Sequence, residues 1–318
     1  MLRWTILIGT FVVWLACMGL VYVHCKPVAR KDALPSAQAS LEALFEEDAE
    51  LERAWRVFVD PRELQTIGKT DGSAPVRPPW SGVDEKRLQE VGWFKTIYKK
   101  RAGDTSRLEQ LTEAEITIPA EANMPVLQML GTLKYRNRSD ISLDTGLESF
   151  NSEFNMGLGF KVISLGVRDG EYLTVTQQIF QNQNKLHDQK QKIMVGTKGT
   201  PTLELMPFQP NPNIRKDVTW EIAMLDTNTI DIAGSSPPQL QMLKVKCVGK
   251  RAISYNNAPT MSYEVKTSDG KTRAWYSADG VVLKQAFRLA DLIEIVVVRA
   301  DAKTFNTSGS PQIIKTPR

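Results

Sequence analysis

The chain has 318 residues, 42% of them apolar and 24% charged, and a formal net charge of +4. That is enough apolar side chain for a packed core. The net charge is too mild and the basic residues too scattered to point to nucleic acid, since Lys99-Lys100-Arg101 and the Lys185 to Lys192 stretch read as solvated faces. Three cysteines, Cys17, Cys25 and Cys247, cannot build a disulfide framework.

Arg3 is followed by an uncharged run from Trp4 to Val23. At helical rise such a run spans roughly 30 Å, the thickness of a bilayer's hydrocarbon, so residues 1–25 predict a signal-anchor transmembrane helix. Trp4 and Tyr22 fall at its ends, where interfacial aromatics sit. A cleaved or lipidated signal peptide, cut near Trp14-Leu15-Ala16-Cys17, is the alternative, but the apolar stretch continues past that point through Val23. Arg3 set against Lys26, Arg30 and Lys31 slightly favours a cytoplasmic body. A single N-terminal anchor ahead of a β-rich domain favours an extracytoplasmic, periplasmic one, and that is the expectation adopted, with the lipid bilayer as first partner.

Residues 26–112 read as a helical and Pro-rich stalk or cover. Between Ser36 and Phe58, Leu44, Leu51 and Phe58 recur at seven-residue spacing with Leu41 and Trp55 beside them, which predicts an amphipathic helix. Its stripe, interrupted by Asp48, is a candidate surface for self-association or for an envelope protein. Gly68 to Gly82 reads as a loop. Gly68-Lys69-Thr70 resembles the end of a phosphate loop, but Glu63 stands where the leading glycine belongs. A second helix is predicted from Asp84 to Lys100, with Leu88, Val91, Trp93, Phe94, Ile97 and Tyr98 on a broad apolar face.

From Glu113 to about residue 300 the pattern is β. Met129–Arg136, Leu147–Asn155, Phe160–Val167, Tyr172–Phe180, Thr202–Leu205, Val218–Leu225 and Met242–Val248 have strand length and turn-like boundaries. In the last of these, Cys247 alternates onto the face of Leu243 and Val245, which predicts a buried thiol. Met261–Lys266, Thr272–Tyr276, Val281–Phe287 and Leu292–Val298 form a four-stranded meander, turned at Ser268-Asp269-Gly270 and at Asp279-Gly280. Residues 301–318 read as a polar tail.

Within that meander, Trp275-Tyr276-Ser277-Ala278-Asp279-Gly280-Val281-Val282-Leu283 follows a strand carrying Tyr263 and precedes an Ile/Val-rich strand ending in Arg299. Over Asn257–Arg299 this resembles the closing strands of the periplasmic lipoprotein-carrier superfamily and its bacterial relatives. The resemblance implies a strongly curved antiparallel half-barrel, closed by helices, whose apolar concave face holds acyl chains or other apolar segments. Trp220, Tyr263, Trp275 and Phe287 are the candidate ligand-lining residues. Carriers of that family are released shuttles, whereas an anchored chain suits a sensor, acceptor or scaffold.

No catalytic constellation stands out. The two histidines are His24 and His187; the latter lies in a very polar stretch, and the hydrolase elbow, zinc-protease helix, paired Cys-x-x-Cys and Gly-rich dinucleotide loop are all missing from the sequence. No catalytic residue, cofactor or metal ligand is therefore named. The expectation is an α+β protein: a transmembrane helix, two amphipathic helices and a large, curved, half-barrel-like antiparallel sheet. Its expected role is a membrane-tethered extracytoplasmic module binding a lipid, lipoprotein or apolar peptide. The alternatives are a structural subunit of a cell-envelope complex, assembled through the 36–58 helix, and an unrecognised membrane-bound hydrolase.

Overall fold

The computed structural model describes residues 50–60, 88–119, 131–142, 144–195, 208, 214–226, 239–256, 258–289 and 293–300. They form one fourteen-stranded sheet. In chain order the strands are β1 Glu50–Val59, β2 Gln89–Arg101, β3 Asp104–Thr117, β4 Thr132–Ser142, β5 Gly146–Asn155, β6 Phe160–Asp169, β7 Tyr172–Gln181 and β8 Asn184–Met194. Then come β9 Thr219–Asp226, β10 Gln239–Tyr255, β11 Ala258–Thr267, β12 Thr272–Tyr276, β13 Val282–Leu289 and β14 Ile293–Ala300.

Their spatial order is β8-β7-β6-β5-β4-β3-β2-β1-β14-β13-β12-β11-β10-β9. The sheet is two up-and-down meanders, β1 to β8 and β9 to β14, joined where β1 pairs antiparallel with β14 from Ala54↔Ala300 to Val59↔Ile295. It is also rolled up. Ala114 of β3 and Tyr135 of β4 share one buried cluster with Ile222 of β9 and Val245 of β10, which lie far along the sheet, and β8 comes close to β10. The result is barrel-like, with an inner face carrying the main core.

The α+β expectation is overturned, because both predicted helices are strands where they are described. The apolar residues of Glu50–Val59 were spaced to suit a helix, but the stretch also alternates: Arg53, Trp55, Val57 and Val59 face inward, while Ala54 and Phe58 pack on the outer face. A strand buried on both faces carries apolar residues of either parity, and a helical stripe can be drawn through them. In β2 the broad face is likewise two faces: Phe94 and Tyr98 point in and Trp93 points out. Its Val, Trp, Phe, Thr, Ile and Tyr are β formers.

The transmembrane and signal-anchor expectation finds no support: among the described residues no helix is long and apolar enough to cross a membrane. The run Trp4–Val23 itself lies outside those residues, as do Leu41, Leu44, the Gly68–Gly82 loop, Thr202–Leu205 and 301–318. Among the described residues the one helical element is a 3-10 turn, Gly157–Gly159.

The later strands follow the expected boundaries closely. β6, β7 and β12 start where the pattern predicts and β5 one residue before it, and the two Asp-Gly turns form with Gly270 and Gly280 at φ of 69° and 81°. The Gly270 amide donates to Thr267 O at 3.0 Å and the Gly280 amide to Ser277 O at 3.1 Å. β3 begins at Asp104, ahead of the expected start, and β8 was not anticipated as a strand.

Close packing on the inner face depends on missing side chains as much as on large ones. A Cβ built on Gly166 of β6 would lie 2.0 Å from Cε1 of Phe150, which is buried in a cluster with Tyr98, Leu108, Leu173 and Val175. Gly166→Ala therefore has to expel the ring, at a cost of about 1–3 kcal/mol, read as a lower urea midpoint; Phe150→Leu in the same chain should recover part of it. An unchanged midpoint would show that the ring has room to move.

Cys247 is fully buried in the main cluster, and burial pushes its thiol above the ordinary cysteine range. A thiol that stays neutral in the fold contributes stability that is complete below the unfolded-state pKa and lost as pH rises through the folded one. In a Cys17→Ser, Cys25→Ser chain, a chromogenic disulfide reagent at pH 8 should titrate no thiol natively and a full equivalent in denaturant. Rapid native labelling would contradict this burial.

Candidate functional site

One register row on the inner face contains no apolar side chain from β1 to β8. Arg53 lies opposite Thr96, Thr96 opposite Thr112, Thr112 opposite Asn137 and Asn137 opposite Ser152. Ser152 faces Ser164, Ser164 faces Gln177 and Gln177 faces Gln189 of the edge strand β8. Every member from Arg53 to Gln177 is buried. At about 4.8 Å per strand, this polar belt runs most of the way across the β1–β8 meander.

These residues face inward because they sit two positions from core residues: Thr96 follows Phe94, Asn137 follows Tyr135, and Gln177 precedes Ile179. Charged residues next to the belt members of β2 to β6 occupy the opposite parity and pair outside. Lys95 binds Glu52 at 2.6 Å, Arg136 binds Glu113 at 3.2 Å, Arg138 binds Glu109 at 2.7 Å and Lys161 binds Glu153 at 2.8 Å. The Lys161 ammonium and the Asn155 amide, the latter first, hold the Glu153 carboxyl below its usual range.

Apolar residues flank the belt on both sides. One flank is Tyr98, Leu108, Ile141, Leu147, Phe150, Leu173, Val175 and Ile193; the other is Phe94, Ala114, Tyr135, Phe154, Val162 and Ile179. Tyr135 and Phe154 meet edge to face, their centroids 6.4 Å apart. At the β1 end the Arg53 guanidinium lies over the Tyr98 ring, 5.2 Å from its centroid.

The belt's polar groups are partly matched with one another. Thr96 Oγ1 and Thr112 Oγ1 are hydrogen-bonded at 3.3 Å, Gln110 Nε2 donates to Thr112 Oγ1 at 3.4 Å, and Asn137 Nδ2 donates to Ser139 Oγ at 2.8 Å. Acceptors are left over. Asn137 Oδ1 and, one row along, Gln191 Oε1 are buried with no hydrogen-bond partner among the described residues. Gln285 Oε1 on β13 is in the same condition, although its Nε2 donates to Phe208 O at 3.2 Å. A buried amide oxygen left unmatched costs about 1–3 kcal/mol, so a site with several of them is suited to a ligand that brings donors.

Three of the four residues expected to line a ligand site lie together on the inner face. Trp220 of β9, Tyr263 of β11 and Phe287 of β13 are half-buried against the main cluster, and Lys250 Nζ stands 5.4 Å from the Tyr263 ring centroid. Trp275 does not join them. Alternation along β12 turns Ala274 and Tyr276 inward, Tyr276 fully buried and edge-on to Phe208 at 6.5 Å, while Trp275 between them packs on the outer face with Ala286, Val296 and Val298. Burial raises the Tyr276 hydroxyl far above the usual tyrosine range.

The belt was not anticipated, although a signal for it exists. In Lys134-Tyr135-Arg136-Asn137-Arg138-Ser139-Asp140-Ile141 every second residue is charged, and the uncharged ones are the inward set. His187, expected in solvent, is half-buried on β8, with Nε2 3.4 Å from Gln189 Oε1.

No protein family and no curated protein matches the chain, so the resemblance of Asn257–Arg299 to lipoprotein carriers has no family match behind it. Among solved structures, the β-barrel-like protein of a domain of unknown function, DUF1849, from Brucella abortus is similar over 80% of this chain and 96% of that one. Its TM-score is 0.41 and its identity 8%.

On the outer face of the sheet, Glu264 of β11 is buried between Arg273 at 2.9 Å and Arg251 at 3.2 Å, with Lys266 at 4.0 Å. Removing one partner of a buried ion pair leaves the other charge uncompensated. Glu264→Ala should cost about 3–5 kcal/mol in chemical denaturation, several times the loss from Glu113→Ala in the exposed Arg136 pair; equal losses would contradict the burial.

Proposed function

We propose that the protein is a non-catalytic binding module whose rolled sheet holds an elongated ligand against the inner face of β1 to β8. The ligand has apolar ends and a hydrogen-bonding middle that carries amide or hydroxyl donors, as in an apolar peptide segment or an amide- or hydroxyl-bearing lipid. The observation that carries this reading is the buried row from Arg53 to Gln177, set between two apolar clusters and holding the unmatched Asn137 oxygen. Ligand sites of this kind combine apolar walls with a few placed polar groups. A bare hydrocarbon chain would leave the belt's acceptors unmatched, so the donor-bearing middle distinguishes this ligand from an acyl chain alone. The belt's residues are amides, hydroxyls and one guanidinium, which suits recognition through hydrogen bonds.

A polar group kept for a ligand burdens the empty fold. Asn137→Leu should therefore raise the unfolding midpoint of the ligand-free protein, by about 1 kcal/mol in stability, and at the same time remove co-purified material seen by native mass spectrometry. If the variant is less stable and still retains the same ligand mass, the belt is a structural network and the binding reading fails.

A further inference from the structure

The outer face of β1 to β6 is laced by ion pairs between neighbouring strands. Arg56 meets Glu90 at 3.8 Å, Lys134 meets Glu115 at 3.6 Å, Arg136 meets Glu113 at 3.2 Å and Lys161 meets Glu153 at 2.8 Å. The lacing stops before β8. Lys190 and Lys192 are exposed and stand opposite Thr176 and Thr174 of β7, a strand that contains no charged residue. Lys192 Nζ lies 4.5 Å from the Tyr172 ring centroid, and neither lysine has a carboxylate partner among the described residues. Asp188, the acid of β8 itself, is held by Lys185.

On its other side β8 is an edge. It pairs with β7 from Tyr172↔Met194 to Gln181↔Asn184 and with no further strand among the described residues; β10 comes near it without forming a ladder. An edge strand presents N–H and C=O groups that an extended chain can complete. A neighbouring strand could answer Lys190 and Lys192 from one side only, and that is the side on which no described strand pairs.

The inward parity of β8 adds a second requirement. Gln189 and Gln191 alternate with the two lysines and are half-buried, and Gln191 Oε1 has no hydrogen-bond partner among the described residues. Side chains directly opposed across an antiparallel pair lie about 5 Å apart. A residue facing Gln191 from an added strand therefore reaches that oxygen if it carries a donor. Beyond Lys192 the outward row ends in Met194, which is 58% exposed.

We propose that the open edge of β8 receives an extended acidic segment of a partner protein as a further antiparallel strand. Carboxylates at alternate positions meet Lys190 and Lys192, and the residue between them, a Thr, Ser or Asn, donates to Gln191 Oε1. Ladder bonds supply the affinity of such an addition and alternate side chains its choice of partner. Lysines on an edge also discourage accidental pairing, so the two that repel a basic strand or disfavour an apolar one admit an acidic one. No ligand on the belt is required.

The test is a fluorescein-labelled peptide alternating Glu and Thr, titrated with the full chain and followed by anisotropy. Binding should saturate, and be roughly tenfold weaker in Lys190→Glu, Lys192→Glu. A peptide alternating Lys and Thr should not bind. The Glu and Thr peptide methylated along its backbone nitrogens keeps its charge and loses its ladder donors, so it should not bind either. Absence of saturable binding overturns the proposal and leaves the lysines as guards of an unpaired edge. Equal binding of the methylated peptide overturns it as well, because charge alone then suffices, as does binding unchanged in the double variant. Should the charge reversal fail to fold, Lys190→Gln, Lys192→Gln decides by the same weakening or its absence.

Discussion

The pairing of β1 with β14 is the contact on which the rest of the structure depends. Two meanders form locally, each strand finding the one before it, but nothing local brings Ala54 to Ala300 or Val59 to Ile295. Closing a loop of this length costs chain entropy that grows only slowly with its size, and the strand brought in is apolar on both sides: Ile295 and Val297 enter the main cluster, Val296 and Val298 the outer one. The join places the strands nearest the described chain ends in the middle of the sheet and leaves β8 and β9 as its edges among the described strands. It also lets residues of β3 and β4 share a core with residues of β9 and β10.

Once the sheet is rolled, each side acquires a different imbalance. The inner face of β1 to β8 carries hydroxyls and amides between apolar clusters and ends with acceptors to spare. The outer face of β10 to β14, covered by its own long hairpin, packs Glu264 among Arg273, Arg251 and Lys266 and leaves Trp275 Nε1 without a hydrogen-bond partner among the described residues. Buried hydrogen-bonding groups are rarely left unmatched without cause. The Gly249 slip serves the outer side only: it sends the hairpin tip across Trp275, while Val245 and Cys247 before it remain in the inner core.

Much of the β architecture was legible in the chain. Asp269-Gly270 and Asp279-Gly280 mark tight turns because glycine readily adopts the positive φ they require, and the strands on either side alternate cleanly. Glu50–Val59 and Gln89–Arg101 misled because strands near the centre of a rolled sheet bury side chains on both faces, which blurs the alternation and lets a helical spacing be found. β8 was hidden by its polarity: in Asn184–Met194 the inward positions include His187, Gln189 and Gln191. The belt was hidden for a related reason. Thr, Asn, Ser and Gln were read as solvent-facing, whereas in β3 and β4 the informative contrast lies between charged and uncharged residues. A full charge is far costlier to bury than an amide or hydroxyl that finds a partner.

By itself, the sequence determined where most strands run, where the chain turns and which parity of each strand rejects charge, because those follow from the two-residue period and from backbone preferences of single residues. It also made Cys247 a core thiol through its place beside Val245. Only the tertiary structure decided that β1 meets β14, that Trp275 faces outward while Trp220, Tyr263 and Phe287 face inward, and that Arg53 through Gln177 line up in one row. Alignment across strands is set by register and by bulges such as those at Val57/Phe58 and Trp275/Tyr276. A shift of one residue there exchanges inside for outside, and that choice rests on the sum of contacts across the whole sheet.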